Sequence, residues 1–424
     1  PMYADGWRRF VRHGRNKGKG DFWVKVLQVN CFYGEGSTGK ITRDIHQYLQ
    51  AQGCESVVCY GRGANTQDPG VIRICSNLYG KANNLLSRIT GLMYGGCLLS
   101  TRRLIRIIRR EKPDVVHLQC INGYFVNIYR LITWLKEQGM KTVLTLHAEF
   151  MYTSNCGHAL DCDRWLTGCG RCPRCRQETK SLFFDGTARS FRKMQRAFAG
   201  FEDHLSVVSV SPWLKNRAEQ SPILTGKKHC VIFNGVDTET FHPYETADLR
   251  KKHGLTHKKI LFHATPFFSA DPEHIKGGYY LLQLAEMLAD QNVNVIVAGA
   301  HEKGLQVPPN VILLGRIQDQ RELARYYSMA DVTVLTSKKE TFSMVTAESL
   351  CCGTPVAGFR AGGPEQIALP AFSRFVHFGE LGQLSEAAEI FIKAAAGDST
   401  ISACSAQAYS KSTMAEEYMG LYAE

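Results

Sequence analysis

Residues 24–53, VKVLQVNCFYGEGSTGKITRDIHQYLQAQG, contain the signals of a strand, a loop and a helix in that order. Val24–Cys31 is an apolar run typical of a strand buried inside a parallel sheet. The glycine-rich stretch Gly34–Gly39 follows it. Apolar side chains then recur at helical spacing as far as Gly53, a typical helix stop. This order predicts the first strand–loop–helix unit of an α/β domain.

The same alternation of strand and helix signals continues along the chain. In the N-terminal half it predicts strands at Ser56–Tyr60, Asp114–Leu118, Thr142–Leu146 and Leu205–Val210. In the C-terminal half it predicts strands at Lys259–His263, Val293–Ala298, Val311–Leu314, Asp331–Leu335 and Thr354–Gly358. Such alternation implies parallel sheets with crossover helices, whose ligands bind at the carboxyl ends of the strands. We therefore predict two Rossmann-like, doubly wound parallel-sheet domains that face a cleft.

The chain has 424 residues, which is too long for one compact α/β domain and suits two. The polar stretch Phe241–Lys259 lacks apolar periodicity and marks the break between them. The predicted organisation is a basic extension over 1–23, a first domain over 24–245, a second domain over 246–400 and a C-terminal helix over 401–424 that returns to the first domain. Residues 152–180 form a cysteine-rich insert in the first domain.

The net charge of +12 is concentrated in residues 1–25 and 81–112, and the rest of the chain is neutral overall. This concentration indicates either a polyanionic partner, such as lipid headgroups or nucleic acid, or a solvated tail and helix face. Leu85–Arg110 mixes apolar and arginine side chains, so it either lies on an anionic bilayer or packs on the sheet with a charged outer face. No uncharged apolar run reaches the ~18 residues of a membrane span. We expect a cytoplasmic protein that can bind the inner face of the cell membrane peripherally.

The loop Gly34–Lys40 differs from a nucleotide P-loop at the next position, where Ile41 replaces the Ser or Thr whose hydroxyl holds Mg²⁺. No later strand ends in the Asp that completes such a site. We therefore do not predict a P-loop. The helix start still offers backbone NH groups to an anion.

The segment Glu340-Thr-Phe-Ser-Met-Val-Thr-Ala-Glu348 follows a predicted strand and opens a helix. The helix start, predicted at Phe342–Val345, presents free NH groups suited to a diphosphate. Glu348, within the helix, can accept two ribose hydroxyls, and Glu340, before it, can accept sugar hydroxyls. Taken alone, the spacing is as typical of a solvated glutamate pair at a helix start.

Other motifs accompany this segment in order, and together they resemble the family-4 retaining glycosyltransferases of the GT-B fold. The resemblance is to a subgroup of bacterial surface-polysaccharide pathways, such as capsule, exopolysaccharide and O-antigen assembly. It runs from about Val24 to the C-terminus. The accompanying motifs are Val29-Asn30, Gly36-Ser-Thr-Gly-Lys-Ile41, Tyr60-Gly-Arg62, Thr145-Leu-His147, Asn234-Gly-Val-Asp237, Lys276-Gly-Gly278 and Gly362-Gly-Pro-Glu365.

The resemblance implies transfer of a sugar, with retention, from a uridine or guanosine diphosphate sugar to a lipid-linked or oligosaccharide acceptor. The first domain would face the acceptor and the second would bind the donor. The implied catalytic residues are His147, Glu340 and Lys276. The implied donor-binding residues are Gly36, Lys276, Gly315, Glu340, Phe342, Ser343, Met344, Glu348 and Glu365.

Each of these positions carries an implied role. Glu348 holds the ribose and Glu340 the donor sugar, while Lys276 neutralises the diphosphate with the NH groups of Ser343 and Met344. These cationic and NH groups stabilise the charge of the leaving group. No Asp-x-Asp motif is placed to hold a cation, so no cofactor is expected to be required for catalysis.

The remaining positions line the cleft from other loops. Gly36 lets the first loop approach the phosphate and sugar, and Gly315 lies by the base. Glu365 steadies the loop under the sugar, and His147 lies by the reacting carbon or the acceptor hydroxyl.

The sequence departs from the family pattern at two places. Thr265-Pro266 stands where relatives often carry a Gly-Arg pair whose Arg joins the lysine at the diphosphate, and Arg316 or His274 is the candidate replacement. Ala148-Glu149 follows the strand-end histidine, where many subgroup members have Asp. Acceptor or sugar contacts at that place are expected to differ.

Five cysteines fall within twenty residues of the insert: Cys156, Cys162, Cys169, Cys172 and Cys175. Their spacing suits a tetrahedral structural zinc site, for which we select Cys156, Cys162, Cys169 and Cys172. Scattered free thiols and disulfides are the alternatives, the latter disfavoured in a reducing cytosol. The subgroup shares four of the five positions, with Cys175 as the extra one. We interpret the nearby His158, Asp161 and Asp163 as surface groups.

Two other functions remain open. A sugar-nucleotide epimerase of the GT-B fold would act on the same donor without an acceptor. A basic zinc-containing nucleic-acid-binding protein would use Arg and Trp side chains near the cysteines, such as Arg164, Trp165 and Arg171. The latter leaves Glu340–Glu348 unexplained, so no nucleic-acid partner is expected.

Overall fold

A computed structural model describes residues 24–394 and 399–424. The predicted basic extension, residues 1–23, lies outside the described residues. The first domain is built on a parallel sheet in the order β3-β2-β1-β4-β5-β6-β7. Its strands are β1 (Val26–Asn30), β2 (Ser56–Tyr60), β3 (Val71–Arg73), β4 (Val115–Leu118), β5 (Thr142–Leu146), β6 (Leu205–Ser209) and β7 (Lys228–Val231).

The second domain is built on a parallel sheet in the order β10-β9-β8-β11-β12-β13. Its strands are β8 (Lys259–Phe268), β9 (Val293–His301), β10 (Val311–Gly315), β11 (Val332–Leu335), β12 (Val356–Phe359) and β13 (Ser373–Val376). In both sheets the strand order reverses beside the first strand, at β1/β4 and at β8/β11, which is where doubly wound sheets bind ligands. The predicted two-domain α/β architecture is confirmed.

Helices connect the strands of both sheets. Those of the first domain are α1 (Gly36–Ala51), α2 (Asn77–Thr90), α3 (Leu98–Glu111), α4 (Ile128–Glu137), α5 (Phe150–Thr153), α6 (Cys175–Glu178), α7 (Thr187–Phe198) and α8 (Pro212–Gln220). Those that follow are α9 (Ala247–Lys252), α10 (Gly278–Met287), α11 (Gln320–Met329), α12 (Met344–Cys351), α13 (Pro364–Ile367), α14 (Leu381–Lys393), α15 (Ser399–Tyr409) and α16 (Lys411–Ala423). In the part of the chain that the structure describes, no helix has the length and apolarity of a membrane span.

Three strands escaped prediction: β3, β7 and β13. All are short and lie at sheet edges, where each has one neighbour and several partly exposed residues. β1, β2 and β5, by contrast, are buried at every residue. These three edge strands lack the longer apolar run by which the other strands are recognised.

The C-terminal segment is two helices rather than the predicted single helix over 401–424. The break falls at Ser410, whose side chain caps α16 by accepting a hydrogen bond from the Thr413 amide at 3.0 Å. α15 packs on α12 in the second domain, whereas α16 packs on α1 in the first. Tyr418 anchors α16 through a 2.8 Å hydrogen bond to Thr145, and Tyr422 through one of 2.7 Å to His117.

The segment Leu85–Arg110 is likewise interrupted, because α2 ends at Thr90 and α3 begins at Leu98. The apolar side of α3 is buried in the domain and its arginines face outward, which matches the packed-helix alternative. On α2, however, Leu85, Leu86 and Ile89 are exposed. Exposed apolar side chains therefore remain on this segment, on α2 and also at Leu98 and Leu99 of α3.

Candidate active site

A cavity of about 280 Å³ lies between the two domains, at the carboxyl ends of their strands. The start of α1 lines one side with Gly36, Ser37 and Lys40, and α12 lines the other with Met344 and Glu348. Three predicted donor-binding positions therefore share one cavity, although Gly36 stands some three hundred residues before Met344 and Glu348 in the sequence.

The loop before α1 is shaped by Asn30 at the end of β1. The Asn30 amide donates hydrogen bonds of 2.9 Å to the Phe32 carbonyl, 3.0 Å to the Thr38 carbonyl and 2.8 Å to the Thr42 hydroxyl. Gly36 has a φ of +65°, a conformation that glycine adopts without strain. Glu35, which precedes the helix, makes no side-chain cap. The first NH groups of α1 therefore remain open to an anion in the cavity.

Glu348 lies in the fifth position of α12, against the cavity. The Tyr327 hydroxyl donates a 3.2 Å hydrogen bond to its carboxylate. Burial raises the pKa of Glu348 to about 7, and the hydrogen bond from Tyr327 and the charge of Lys40 counteract that rise. The pKa of this carboxyl group therefore lies close to neutral pH. A small decrease in the pKa makes it a carboxylate, which accepts hydrogen bonds from ribose hydroxyls.

The helix α12 begins at Met344, two residues later than predicted. Ser343 is its N-cap, with a φ of +82°, and its hydroxyl accepts a 3.2 Å hydrogen bond from the Thr346 amide. Phe342 is buried and packs edge-on against Phe233, with the ring centroids 5.8 Å apart. These two side chains therefore shape the start of α12 rather than line the cavity.

Lys276 and Glu340 form an ion pair, with Nζ 2.5 Å from Oε1. Ser337 donates a second hydrogen bond to the same carboxylate oxygen at 2.9 Å. The Glu340 backbone joins the loop after β12, because its amide donates to the Ala361 carbonyl and its carbonyl accepts from the Gly363 amide. Neither side chain lines the cavity between α1 and α12, so this pair forms a separate part of the cleft.

Glu365 holds the loop after β12 from below. Its carboxylate accepts hydrogen bonds from the amides of Ala361, at 3.0 Å, and Gly362, at 2.9 Å. A side chain at Gly362 would clash with Trp213 of the first domain, because an added Cβ would lie 2.6 Å from that ring. The loop therefore approaches the first domain closely.

His147 follows β5, and its carbonyl accepts a 2.8 Å hydrogen bond from the Thr341 hydroxyl. The Thr341 carbonyl in turn accepts a 2.6 Å hydrogen bond from Ser211 of the first domain. The two domains are therefore in direct contact beside Glu340. Burial lowers the pKa of His147 to about 4, so its imidazole is neutral at pH 7, with Nε2 3.3 Å from the Gln119 amide oxygen.

Arg316 and His274, the candidate replacements for the diphosphate arginine, do not line the cavity between α1 and α12, and neither do Lys276 and Glu340. Lys40, which sequence reasoning did not select, does line it. In the described part of the chain its ammonium group forms no ion pair, and burial lowers its pKa. The sequence did contain a signal for this residue, because Lys40 stands in the glycine-rich loop. That loop was set aside because Ile41 excludes a nucleotide P-loop. Gly315, with a φ of +73°, ends β10 outside this cavity.

The four cysteines selected for zinc face one another across a cavity of about 20 Å³. All are free thiols, and burial raises the pKa of Cys169 to about 11. Among residues 24–394 and 399–424, no three His, Cys, Asp or Glu side chains are already placed to hold a metal ion. Zinc at this site therefore stays a prediction. Asp161 and Asp163 are exposed as predicted, but the interpretation of His158 as a surface group is wrong, because its Nδ1 atom is buried.

Comparisons with known proteins identify glycosyltransferases that are similar to both domains. A sequence model of Glycosyltransferase Family 4 matches residues 38–240, and one of Glycosyl transferases group 1 matches residues 246–409. The chain is 24% identical to the putative colanic acid biosynthesis glycosyl transferase WcaC of Escherichia coli, over 94% of this chain and 99% of that protein. It is 31% identical to the D-inositol 3-phosphate glycosyltransferase of Thermobifida fusca, over 31% of this chain and 34% of that protein.

Solved structures show the same fold. Anabaena HepE in complex with UDP-glucose superposes with a TM-score of 0.61 at 15% identity, over 94% of this chain and 99% of that one. The sucrose-phosphate synthase of Thermosynechococcus elongatus gives 0.61 at 15% identity, over 94% and 98%. The two family models meet at the boundary between the two sheets and together account for both domains. The chain is therefore a glycosyltransferase of the GT-B fold, whose first domain matches the Family 4 model and whose second domain matches the group 1 model.

Proposed function

We propose that this protein moves a sugar, with retention, from a nucleoside diphosphate sugar to a lipid-linked saccharide in bacterial surface-polysaccharide assembly. The observation that carries the proposal is the cavity that Gly36, Met344 and Glu348 line from opposite domains. The names of two similar proteins support it, since WcaC is described as a colanic acid biosynthesis enzyme and HepE binds UDP-glucose.

In the proposed reaction, the carboxylate of Glu348 accepts the ribose hydroxyls and Glu340 those of the sugar. Negative charge develops on the leaving diphosphate while the sugar becomes oxocarbenium-like. Lys276, the first NH groups of α12 and Lys40 are the groups available to stabilise that charge. Lys40 supplies the cation that relatives obtain from the arginine missing at Thr265-Pro266.

Donor binding tests the proposal directly. Thermal unfolding is measured with UDP-glucose, UDP-N-acetylglucosamine and GDP-mannose, for the wild type and for Glu348→Ala. A ligand that binds the native state raises the melting temperature, so one donor is expected to stabilise the wild type and not the variant. A wild type that responds to no sugar nucleotide contradicts the proposal. Conversion of the donor without an acceptor to an epimeric sugar nucleotide would instead favour the epimerase.

An anionic bilayer is the proposed docking surface for the acceptor side. Leu182, Phe183 and Phe184 are exposed beside the end of α2, where the Leu182 amide donates to the Arg88 carbonyl at 2.8 Å. Together with Leu85, Leu86 and Ile89 they form an apolar patch. The exposed arginines of α3 give the same domain positive charge.

Co-sedimentation with phosphatidylglycerol vesicles measures this docking. A Phe183→Ser, Phe184→Ser double variant is expected to lose it. Phe267→Ser removes an exposed ring from the other domain and serves as the control. Equal binding by all three proteins contradicts the proposal.

Structural zinc in the insert is a separate proposal, supported by the four thiols around one cavity. Drawing the thiolates together would complete a tetrahedral site. Metal analysis of the purified protein is expected to find one zinc per chain and to find less in Cys172→Ser. Metal-free protein with reactive free thiols contradicts it.

A further inference from the structure

Immediately after Cys156 the insert forms a turn of Gly157, His158 and Ala159, which bonds back to Glu149 just after β5. Glu149 holds this turn from both sides. Its amide donates a 2.9 Å hydrogen bond to the Gly157 carbonyl, and its carboxylate accepts a 2.7 Å hydrogen bond from the Ala159 amide. The residue between these two contacts, His158, is therefore fixed at the backbone although it lies in a loop.

The side chain of Glu149 is fully buried and is itself anchored. Arg217 Nε forms an ion pair with it at 2.8 Å, and the Tyr152 hydroxyl donates to it at 2.5 Å. Two rings stack on the Arg217 guanidinium, Trp165 at 4.7 Å and Trp213 at 5.1 Å. Contacts of this kind make a rigid support, because separating Glu149 from Arg217 would leave each buried charge without its partner.

This support lies against the second domain. Trp213 packs beside Gly362, in the loop that Glu365 holds. Thr341, which follows Glu340, donates a hydrogen bond to the carbonyl of His147, two residues before Glu149. Glu340 is thus connected through Thr341 and His147 to Glu149, which holds the His158 turn.

The imidazole of His158 has unused hydrogen-bonding capacity. Its Nδ1 atom is buried and has no hydrogen-bond partner among the described residues. Buried polar atoms are almost always paired, so an orphaned one at the edge of a cleft points to a ligand that is bound in function. The ring has two nitrogens that can take part in hydrogen bonds, and Glu340 and Lys276 are among the charged groups that act on it.

His158 does not serve the cysteine cluster. The cavity that Cys156, Cys162, Cys169 and Cys172 share is lined by Thr153, Ala159 and Trp165 among others, and not by His158. A structural role in the cysteine cavity therefore does not account for its burial.

We propose that His158 binds the sugar of the donor, hydrogen-bonding through Nδ1 to one of its hydroxyls. This rests on the proposed function, because it places the sugar of a nucleoside diphosphate sugar between the two domains. The insert then has a function of its own, since it supplies from the first domain a contact that selects among donor sugars while Glu348 and α12 hold the nucleotide.

The test compares binding of a sugar nucleotide with binding of the free nucleotide. Calorimetric titrations use UDP-glucose, UDP-N-acetylglucosamine and GDP-mannose beside UDP and GDP. For the donor that binds the wild type, His158→Ala is expected to weaken affinity by about three- to tenfold, the size of one neutral hydrogen bond. Affinity for the matching free nucleotide is expected to stay unchanged, which also reports that the variant is folded. His158→Gln, which keeps a hydrogen-bonding side chain, is expected to recover part of the loss.

His257→Ala is the matched control, because His257 is exposed in the second domain. Equal affinities of His158→Ala and wild type for the sugar nucleotide would overturn the proposal, as would equal losses for the sugar nucleotide and the free nucleotide. Either result leaves the glycosyltransferase proposal standing, because the wild type still binds its donor. A wild type that binds no sugar nucleotide would overturn both.

Discussion

The loop 340–348 and the insert 152–180 each follow a central strand of their sheets, yet they are built differently. In the loop, two contacts span only three residues, because Ser343 caps α12 and Ser337 bonds to Glu340, while Lys276 comes from 64 residues away. In the insert, the turn at His158 is held by Glu149, which lies outside the insert and is itself paired with Arg217, 68 residues away. The comparison teaches that the loop carries part of its geometry in its own sequence, whereas the insert takes its rigidity from the domain that surrounds it.

The largest expected effect is on the loop side. Lys276→Ala removes the cation paired with Glu340, and removal of one group aimed at developing charge costs roughly 10²–10³-fold in kcat. Lys40→Ala is expected to cost less, about tenfold, because the NH groups at the start of α1 remain as partial compensation. Donor-dependent transfer or donor hydrolysis measures both.

Lys303→Ala serves as the control, since this lysine is exposed. If Lys40→Ala retained full activity and full affinity for the free nucleotide, the first domain would contribute no cation to the leaving group. Of the two lysines, only Lys276 would then act on the leaving group.

For the insert, the largest expected effect of a mutation is a loss of unfolding free energy. Glu149→Ala leaves the Arg217 guanidinium buried without its carboxylate, a change that costs about 3–5 kcal/mol of unfolding free energy. Chemical denaturation measures it. Because Glu348 and α12 do not depend on this contact, the folded variant is expected to bind the free nucleotide with unchanged affinity at low temperature.

Glu219→Ala provides the control for that experiment, since Glu219 is a half-exposed residue of α8 paired with Lys215. A Glu149→Ala protein as stable as this control would show that the insert does not rely on Arg217. The contrast between the loop and the insert would then be lost.

A smaller, pH-dependent effect distinguishes Glu348 from Glu149. Because burial raises the pKa of Glu348 to about 7, its carboxylate becomes protonated below that pH and accepts hydrogen bonds from ribose less well. KM for the donor is expected to rise about tenfold per pH unit below pH 7. Measuring KM between pH 5.5 and 8.5 checks this, and a constant KM would contradict it.

The same shift has an opposite sign in stability. The native state holds the Glu348 proton more tightly than the unfolded chain does, so wild-type stability falls as pH rises from the ordinary carboxyl pKa to about 7. Glu348→Gln removes that loss. The variant is therefore expected to melt higher than the wild type at pH 8, with a smaller difference at pH 5, while binding the donor less well.

Much of the fold could be predicted because central parallel strands are buried on both faces. β2 and β5 occur at the predicted bounds, and the face of α4 that contains Ile128, Leu131 and Leu135 is buried as its spacing indicates. The edge strands β3, β7 and β13, the break at Ser410 and the turn between α2 and α3 were missed. Each depends on neighbours distant in the sequence or on a single capping contact, so no local periodicity marks it.

The sequence by itself determined the two-sheet architecture, since strand-end motifs and apolar periodicity are local properties of the chain, and it singled out Glu340, Glu348 and Lys276 as candidate donor-binding residues. Only the tertiary structure showed that Lys40 shares a cavity with Glu348 and that Arg217 anchors the buried Glu149 that holds the His158 loop. The physical reason is that these contacts join groups far apart in the chain. Burial and unpaired polar atoms, which show what such groups can do, exist only once the domains have packed.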